Sequence, residues 1–161
     1  MEELLNKLKE LEIKYELIEH QAVYTIEDMN NLDKNIFKNA EICKNLFLRD
    51  QKGKRHFLIV LCSEKQANLA EIQKQIFATK LSFGSPERLK KYLNLEPGHV
   101  GPMGLINDKD NAVEVILDKD LKNKELLSVH PNTNTASILI TPKELEKFIK
   151  NTGHDIEYVE V

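Results

Sequence analysis

The sequence predicts a single α+β domain, residues 1–161, with a central mixed and mostly antiparallel sheet flanked by helices. Two β-prone runs, residues 43–50 and 55–62, are joined by a short Gly-containing turn and predict a hairpin. Capped helix starts and further β-prone runs follow along the chain. The 161 residues, 41% of them hydrophobic, suffice for one sizeable core, and no linker or internal repeat divides them.

The N-terminal quarter predicts a helix, a short strand and a second helix. Leucines at helical spacing place an amphipathic helix over residues 2–12. The short strand ends at His20. Thr25, followed three residues later by Asp28, is typical of a capped helix start. Residues 30–40 are rich in Asn, Asp and Lys and carry no predicted element.

The first hairpin strand contains a lysine, Lys44, at a position that is predicted to be buried. Its two faces alternate, with Ile42, Lys44, Leu46 and Leu48 on one and Cys43, Asn45 and Phe47 on the other. Both faces are mostly apolar, which is typical of a central strand covered on both sides. An ammonium there is costly unless an anionic or polar group meets it. Two interpretations stay open: Lys44 meets such a group, or the strand begins only at Leu46 and Lys44 is a solvated residue ahead of it.

The rest of the chain alternates helix starts, loops and strands. Apolar residues at helical spacing predict a helix near residues 69–76, and Ser85 caps the next helix. Residues 96–104 hold three of the six glycines and cannot continue that helix. The remaining predicted elements are a strand at residues 113–117, a polar loop at 130–135, a strand at 136–140, a helix that Thr141 caps and Gly153 ends, and a last strand at 156–161.

Composition favours a soluble protein of the cytoplasm. No apolar run approaches the ~20 residues of a membrane helix, and the acidic start is unlike a signal peptide. Cys43 and Cys62 lie in predicted strands, so we expect reduced core thiols. A formal net charge of -3 disfavours a protein that coats nucleic acid, but it is compatible with a small local site for a strand end.

Motifs for common catalytic chemistries are missing from the sequence. The five histidines have no metal-ligand spacing, so we expect no metal, and no Gly-x-Ser-x-Gly elbow occurs. The glycine-rich residues 98–104 are either a tight surface loop or a set of backbone amides aimed at a carbonyl or carboxylate. Residues 130–132 are either an ordinary turn or part of that site. The basic residues Arg88, Lys90 and Lys91 are either a solvated helix face or an anion site.

Several separated stretches together resemble one known family. Residues 44–50 (Lys-Asn-Leu-Phe-Leu-Arg-Asp), followed by Lys52-Gly53 and by residues 55–58 (Arg-His-Phe-Leu), resemble the signature hairpin of freestanding prolyl-tRNA editing proteins. These belong to the YbaK-like superfamily of deacylases associated with prolyl-tRNA synthetase. Further matches follow in order over nearly the whole chain: residues 20–25, residues 81–85, the Gly98-x-x-x-Pro102 loop and residues 130–136.

The resemblance implies a cleft that hydrolyses mischarged aminoacyl-tRNA in trans. The nearest branch removes alanine from proline tRNA, and a more distant one removes cysteine. Lys44, Asn45 and His130 are then the catalytic candidates. Lys44 would hold the ribose or phosphate of the terminal adenosine, Asn45 would fix the substrate, and His130 would line the pocket. The substrate-binding candidates are Gly98, His99, Val100, Gly101, Pro102 and Asn132, where the loop amides would hold the aminoacyl carbonyl.

The family mechanism implies water attack assisted by a free ribose hydroxyl, without metal or other cofactor. The implied partners are the acceptor end of proline tRNA and, further, prolyl-tRNA synthetase, with no DNA and no membrane. One stretch departs from the family: residues 39–43 read Asn-Ala-Glu-Ile-Cys, where an approach containing Gly and His is common. The resemblance therefore assigns no tRNA-contacting residue to the loop before Asn39.

Editing is a reasonable task for such a cleft, because a pocket built for proline excludes the smaller alanine poorly. Each missing methylene gives only ~1–3 kcal/mol of discrimination, so a second hydrolytic pocket is the expected remedy. Two alternatives remain: a non-catalytic module that binds an amino acid or an aminoacyl end, and a deacylase for cysteine or another small amino acid. We expect Lys44→Ala nearly to abolish deacylation, and Gly101→Ala to impair it by crowding the loop.

Overall fold

The computed structural model describes residues 1–32 and 37–161 and contains an eight-stranded mixed sheet. The strands are β1 (Glu16–Glu19), β2 (Glu41–Arg49), β3 (His56–Cys62), β4 (Ser82–Phe83), β5 (Val113–Asp118), β6 (Leu127–Val129), β7 (Ala136–Ile140) and β8 (Ile156–Val159). Their order is β1-β7-β6-β2-β3-β5-β8, and β4 also pairs with β2. The pairs β1–β7, β2–β3, β2–β4 and β6–β7 are antiparallel, whereas β2–β6, β3–β5 and β5–β8 are parallel. The predicted α+β class with a mixed central sheet is confirmed.

The helices begin at residues that cap them. They are α1 (Glu2–Glu10), α2 (Ile26–Asn30), α3 (Leu69–Gln75), α4 (Pro86–Leu93) and α5 (Pro142–Asn151), with 3-10 helices at Pro102–Asn107 and Lys119–Asn123. The side chains of Thr25, Asn68, Ser85 and Thr141 each accept a hydrogen bond from the backbone N–H three residues on. Across the described parts of the chain, no helix is long and apolar enough to cross a membrane.

The hairpin of β2 and β3 forms the centre of the fold, with apolar layers on both faces. All seven residues of β3 are buried. Helices α1, α4 and α5 cover one face, where they pack against Cys43, Phe47 and Val60. Helix α3 covers the other face, where Leu48 and Ile59 lie. The faces of the hairpin thus alternate as the sequence predicts.

The turn between β2 and β3 is stabilised by Asp50. Its carboxylate accepts the backbone N–H groups of Lys54 at 2.9 Å and Arg55 at 3.1 Å. Burial alone would raise the pKa of Asp50, but these amide hydrogen bonds, with the nearby Arg55 charge, outweigh it and hold the pKa below its ordinary value. Gly53 has φ +68, a left-handed conformation that favours glycine.

The structure corrects several sequence predictions. Strand β2 begins at Glu41, so the interpretation that the strand starts only at Leu46 is wrong. Two short strands, β4 and β6, have only two and three residues and were too short for a periodic pattern to predict. Part of the predicted glycine-rich loop is a 3-10 helix that begins at Pro102. The last strand ends at Val159. Residues 33–36, within the stretch for which no element was predicted, lie outside the described residues.

Candidate active site

The candidate cleft lies where one edge of β2 has no neighbouring strand. β6 pairs with the first two residues of β2, and β4 pairs with the last two. Within the described ranges, no strand pairs with residues 43–46 on this edge. A cleft of about 310 Å³ opens there. Its floor is the middle of β2, one wall is α2 with the residues ahead of it, and the other wall contains Gly98, Val100 and His130.

The free strand edge presents main-chain groups to this cleft. On this edge the Glu41 N–H donates toward β6 at 2.9 Å, and the Phe47 carbonyl accepts from Gly84 N–H at 2.9 Å. Because successive strand residues direct their backbone groups to opposite edges, the N–H and C=O of Cys43 and Asn45 face this same edge. The Ile42–Ser128 pairing engages the Cys43 N–H with β6, so the gap leaves the Asn45 N–H without a partner strand among the described residues and available to a bound ligand.

Lys44 is a half-buried cation at the cleft floor. Its Nζ donates to the backbone carbonyl of Lys65 at 3.4 Å, and no carboxylate of the described residues forms an ion pair with it. The contrast with Lys65 is direct, because Lys65 Nζ lies 2.9 Å from Asp118 and 2.6 Å from Asp120. Lys44 therefore presents a charge that the described protein groups do not neutralise.

Asn45 and His130 bring buried hydrogen-bonding atoms to the same cleft. Asn45 Nδ2 donates to the Cys43 carbonyl at 3.4 Å, whereas Asn45 Oδ1 and His130 Nδ1 are buried and have no partner among the described residues. Burial lowers the pKa of His130, a hydrogen bond with the Ala136 backbone opposes this, and nearby histidine charges lower it further. The imidazole is consequently neutral near pH 7 and offers a hydrogen bond, not a positive charge.

The loop of predicted substrate-binding residues contributes unequally to the cleft. Gly98 and Val100 line it. His99 is half-buried, and its backbone N–H donates to the Glu96 carbonyl at 3.0 Å. Gly101 and Pro102 are buried where the 3-10 helix begins. Gly98 and Val100 therefore form part of the cleft wall, whereas the other three predicted residues of this loop do not line the cleft.

The two loop glycines differ in conformation. Gly98 has φ +88, and a Cβ added there would lie 3.4 Å from the Tyr24 ring. Gly101 has φ -174, which is extended backbone open to any residue. A Cβ at Gly101 would lie 3.6 Å from the His130 Cβ and carbonyl oxygen, an ordinary van der Waals distance. The expectation that a methyl group at Gly101 would crowd the loop is therefore wrong, and Gly98 is the position that requires glycine.

Asn132 supports the loop from outside the cleft lining. It has φ +64, and its Nδ2 donates to the Met103 carbonyl at 3.4 Å. Its Oδ1 is buried and has no partner in the described part of the chain. This contact links the β6–β7 turn, which follows His130, to the 3-10 helix after the glycine loop.

The cleft wall formed by α2 was not predicted from the sequence. The Thr25–Asp28 pattern predicted the helix, and Thr25 Oγ1 indeed accepts the Asp28 N–H at 3.0 Å, but nothing in the pattern indicated where the helix packs. Val23, Tyr24, Thr25, Ile26 and Met29 all line the cleft. Tyr24 is 69% exposed and stands beside Gly98, so an aromatic ring lies at the cleft mouth.

His20 connects this wall to the sheet. Its Nε2 lies 2.9 Å from Ser137 Oγ and its Nδ1 lies 2.7 Å from the Gln21 carbonyl, while its backbone N–H donates to Thr135. The resemblance of residues 20–25 to the family thus falls on the segment that positions α2 against β7.

A larger groove of about 660 Å³ lies elsewhere, between α1, residues 105–109 at the end of the first 3-10 helix, and the end of α5. It contains none of the predicted site residues. In residues 1–32 and 37–161, no group of three or more His, Cys, Asp or Glu side chains is placed to hold a metal ion.

Comparisons with known proteins agree on one family. The model of the aminoacyl-tRNA editing domain matches residues 20–148. The chain is similar to the prolyl-tRNA editing protein ProX of Acetoanaerobium sticklandii, with 44% identity over 159 residues that cover 98% of this chain and 95% of that one. It is 33% identical to prolyl-tRNA synthetase associated domain-containing protein 1 of Bos taurus, over 94% of this chain and 90% of that one.

Solved structures share the fold. A crystal structure of a candidate trans-editing enzyme for prolyl tRNA synthetase superposes with a TM-score of 0.73 at 19% identity, covering 99% of this chain and 96% of that one. Another, of a hypothetical protein, gives a TM-score of 0.74 at 16% identity, with 97% of each chain covered. With the match over residues 20–148 and the 44% identical relative, the chain belongs to the family of aminoacyl-tRNA editing domains.

Proposed function

We propose that this protein is a trans-editing deacylase that hydrolyses the ester bond of mischarged proline tRNA, with alanine as the amino acid removed. Membership of the aminoacyl-tRNA editing family supports the reaction class, and the relative from Acetoanaerobium sticklandii is named a prolyl-tRNA editing protein. The choice of alanine rests on the resemblance of the motifs around Lys44, Gly98 and His130 to the alanine-removing branch.

The observation that carries the proposal is the unneutralised ammonium of Lys44 at the gap in the sheet edge. A half-buried cation without an ion-pair partner among the described residues costs stability unless a ligand meets it. The terminal nucleotide of a tRNA supplies a phosphate and ribose hydroxyls that suit this position. A cleft of about 310 Å³ takes an aminoacyl ribose, while the rest of the tRNA stays outside.

In the proposed reaction, water attacks the ester carbonyl, and the bond from carbonyl carbon to ribose oxygen breaks. The products are the free amino acid and a tRNA whose terminal ribose regains its hydroxyl. The neighbouring free ribose hydroxyl orients the water and relays its proton to the departing oxygen. The N–H of Asn45, and those near Gly98, are the donors for the negative charge that develops on the carbonyl oxygen.

The cleft contains no activated protein nucleophile among the described residues. Burial raises the pKa of the Cys43 thiol, with the neighbouring Cys62 and acidic groups adding to the effect, so it stays protonated at neutral pH. His130 is neutral and largely enclosed. This supports a substrate-assisted mechanism. The same observation favours a second candidate function, a non-catalytic module that binds an aminoacyl end without turnover.

Selection of alanine over proline would come from the size of the pocket. The proposal assigns this selection to the cleft lining around His130, which would admit the methyl group of alanine and reject a proline ring. A deacylase for cysteine or another small amino acid has the same architecture, and only the relative rates distinguish it. We infer prolyl-tRNA synthetase as a further partner, and the cytoplasm as the location, where buried thiols such as Cys43 and Cys62 remain free.

The test is deacylation of proline tRNA charged with alanine, with the wild type, Lys44→Ala and a control, Lys143→Ala, at an exposed residue of α5. The proposal expects rapid loss of alanine that depends on Lys44 and is unchanged in the control. No turnover by a folded wild type that still binds the charged tRNA would instead establish the binding module.

A further inference from the structure

The end of the β2–β3 hairpin carries a cluster of cations that the cleft does not use. The cluster consists of Arg49 at the end of β2, Lys52 and Lys54 in the turn, and Arg88 and Lys91 in α4; it is called the hairpin patch below. Lys52, Lys54 and Lys91 are exposed, and the two arginines are half-buried. The protein as a whole has a net charge of -3, so the positive charge of this patch is a local feature of its surface.

Contacts around His56 bring the hairpin patch together. Arg88 Nη1 donates to the Gly53 carbonyl at 3.1 Å and lies 2.9 Å from His56 Nε2, so α4 is held against the turn. Arg49 stands directly opposite His56 in the β2–β3 register. Burial lowers the pKa of His56, and the charges of Arg88, Arg49 and Lys91 each lower it further, so all three cations lie near this side chain.

Internal carboxylates do not neutralise the patch. Nearby cations outside it are paired, Arg55 with Glu114 at 2.8 Å and Lys90 with Glu96 at 3.1 Å. Within the described residues, none of the five patch cations forms an ion pair with a carboxylate. The adjacent Asp50 is mostly buried and is occupied by backbone N–H groups of the turn. The patch is therefore available for an external polyanion.

An exposed aromatic side chain lies between the cleft and the patch. Phe83 of β4 is 65% exposed, although it sits opposite Leu48 on the same edge of β2 that opens into the cleft. A phenylalanine ring that the core does not bury is a platform on which a nucleobase can stack. A cluster of cations with an exposed aromatic ring beside it suits a nucleic-acid strand better than an acidic protein surface.

The spacing fits the end of a tRNA. Arg49 lies five positions after Lys44 in β2, which at about 3.3 Å per residue is roughly 16 Å. At about 3.4 Å per stacked nucleotide, this distance spans about five nucleotides of one strand. A strand whose terminal ester lies at Lys44 thus brings the phosphates near its fifth nucleotide to the hairpin patch.

We propose that the hairpin patch, together with Phe83, holds the acceptor strand of the tRNA while its aminoacylated end occupies the cleft. This inference rests on the proposed function, because it takes the ester to lie at Lys44. It assigns the strand backbone to Arg49, Lys52, Lys54 and the basic face of α4, and the path between the two sites crosses β4, which covers the end of this β2 edge.

The direct test is the affinity for uncharged proline tRNA, measured by fluorescence anisotropy over a series of salt concentrations. The test variant is Lys52→Glu/Lys54→Glu, and the matched control is Lys143→Glu/Lys147→Glu, which makes the same charge change on exposed residues of α5. We expect the test variant to bind at least about tenfold more weakly and the slope of log affinity against log salt to shrink by about 1.4–1.8, since two phosphate contacts are lost. Equal affinities and slopes for the two double variants would overturn the proposal.

Hydrolysis separates failure of this inference from failure of the proposed function. An alanyl ester of adenosine reaches the cleft without the patch, so the test variant should hydrolyse it at the wild-type rate while losing about tenfold on alanyl-tRNA at low concentration. Turnover that depends on Lys44 but is unaffected by the patch charges on either substrate refutes the patch alone. Patch-dependent binding of tRNA with no hydrolysis by the wild type refutes the deacylase and leaves the patch in place.

Discussion

Gly98 is the position in the glycine loop where a single methyl group should reduce activity. Its φ of +88 lies in the left-handed region, which costs a residue with a Cβ about 1–2 kcal/mol. The added Cβ would also meet the Tyr24 ring at 3.4 Å, a contact that a small ring movement accommodates. Backbone strain is therefore the larger effect of Gly98→Ala.

If the loop shifts to relieve that strain, its amides move away from the ester carbonyl. A loss of about 1–2 kcal/mol of transition-state stabilisation corresponds to a roughly 5–30-fold lower kcat/KM for deacylation of alanyl-tRNA. Gly101→Ala is the matched control, because its φ of -174 and a free distance of 3.6 Å accept a methyl group, and its kcat/KM should stay within about twofold of wild type. Gly98→Asn should recover part of the loss, since asparagine tolerates positive φ.

Steady-state kinetics and urea unfolding of the three variants check this reasoning. The expected order of kcat/KM is wild type and Gly101→Ala together, then Gly98→Asn, then Gly98→Ala. Equal losses for the two alanine variants would contradict the conformational argument, and full activity in Gly98→Ala would show that the loop amides do not act on the carbonyl.

Three other predictions concern the cleft mouth, a buried pair and acid stability. Tyr24→Ala should raise KM for charged tRNA severalfold, while Tyr24→Phe should not, because a stacked base needs the ring alone. His154→Ala should lower the free energy of urea unfolding by about 1–3 kcal/mol, because it removes the 2.8 Å partner of the buried Asp108 carboxylate, which keeps the backbone N–H groups of Ala112 and Val113. Burial and then the Arg88 charge lower the pKa of His56 in the folded protein. Below about pH 6.5 the unfolded chain therefore binds more protons at His56 than the folded protein does, so the free energy of unfolding should fall.

Each of these has a clear control. Equal KM values for the two Tyr24 variants would remove the ring from substrate binding. A cost below about 1 kcal/mol for His154→Ala would show that water satisfies Asp108. In His56→Gln, which keeps an acceptor for Arg88 but does not titrate, the decline of unfolding free energy below about pH 6.5 should be shallower. An unchanged slope would assign the acid sensitivity to other groups.

The central hairpin could be predicted because its signals are local. Alternating apolar residues, a Gly-containing turn and a lysine among them define β2 and β3 without any knowledge of distant contacts. The capped helices at Thr25, Ser85 and Thr141 were predictable for the same reason.

The shape of the site could not be predicted from such signals. The cleft exists because β6 and β4 pair with opposite ends of β2 and leave its middle free, and both strands are too short to show a period. The position of Tyr24 depends on how α2 packs against β7, which its cap does not encode. The conformational difference between Gly98 and Gly101 is likewise set by the folded loop, since the two residues are chemically identical.

The most direct test of the central claim is the rate at which proline tRNA charged in turn with alanine, cysteine, serine and proline is deacylated by wild type and Lys44→Ala. The account predicts that the wild type removes alanine fastest and spares proline. Lys44→Ala should lose this activity without any loss of unfolding free energy in urea, because no described carboxylate pairs with Lys44. Removal of alanine by Lys44→Ala at the wild-type rate would contradict the account.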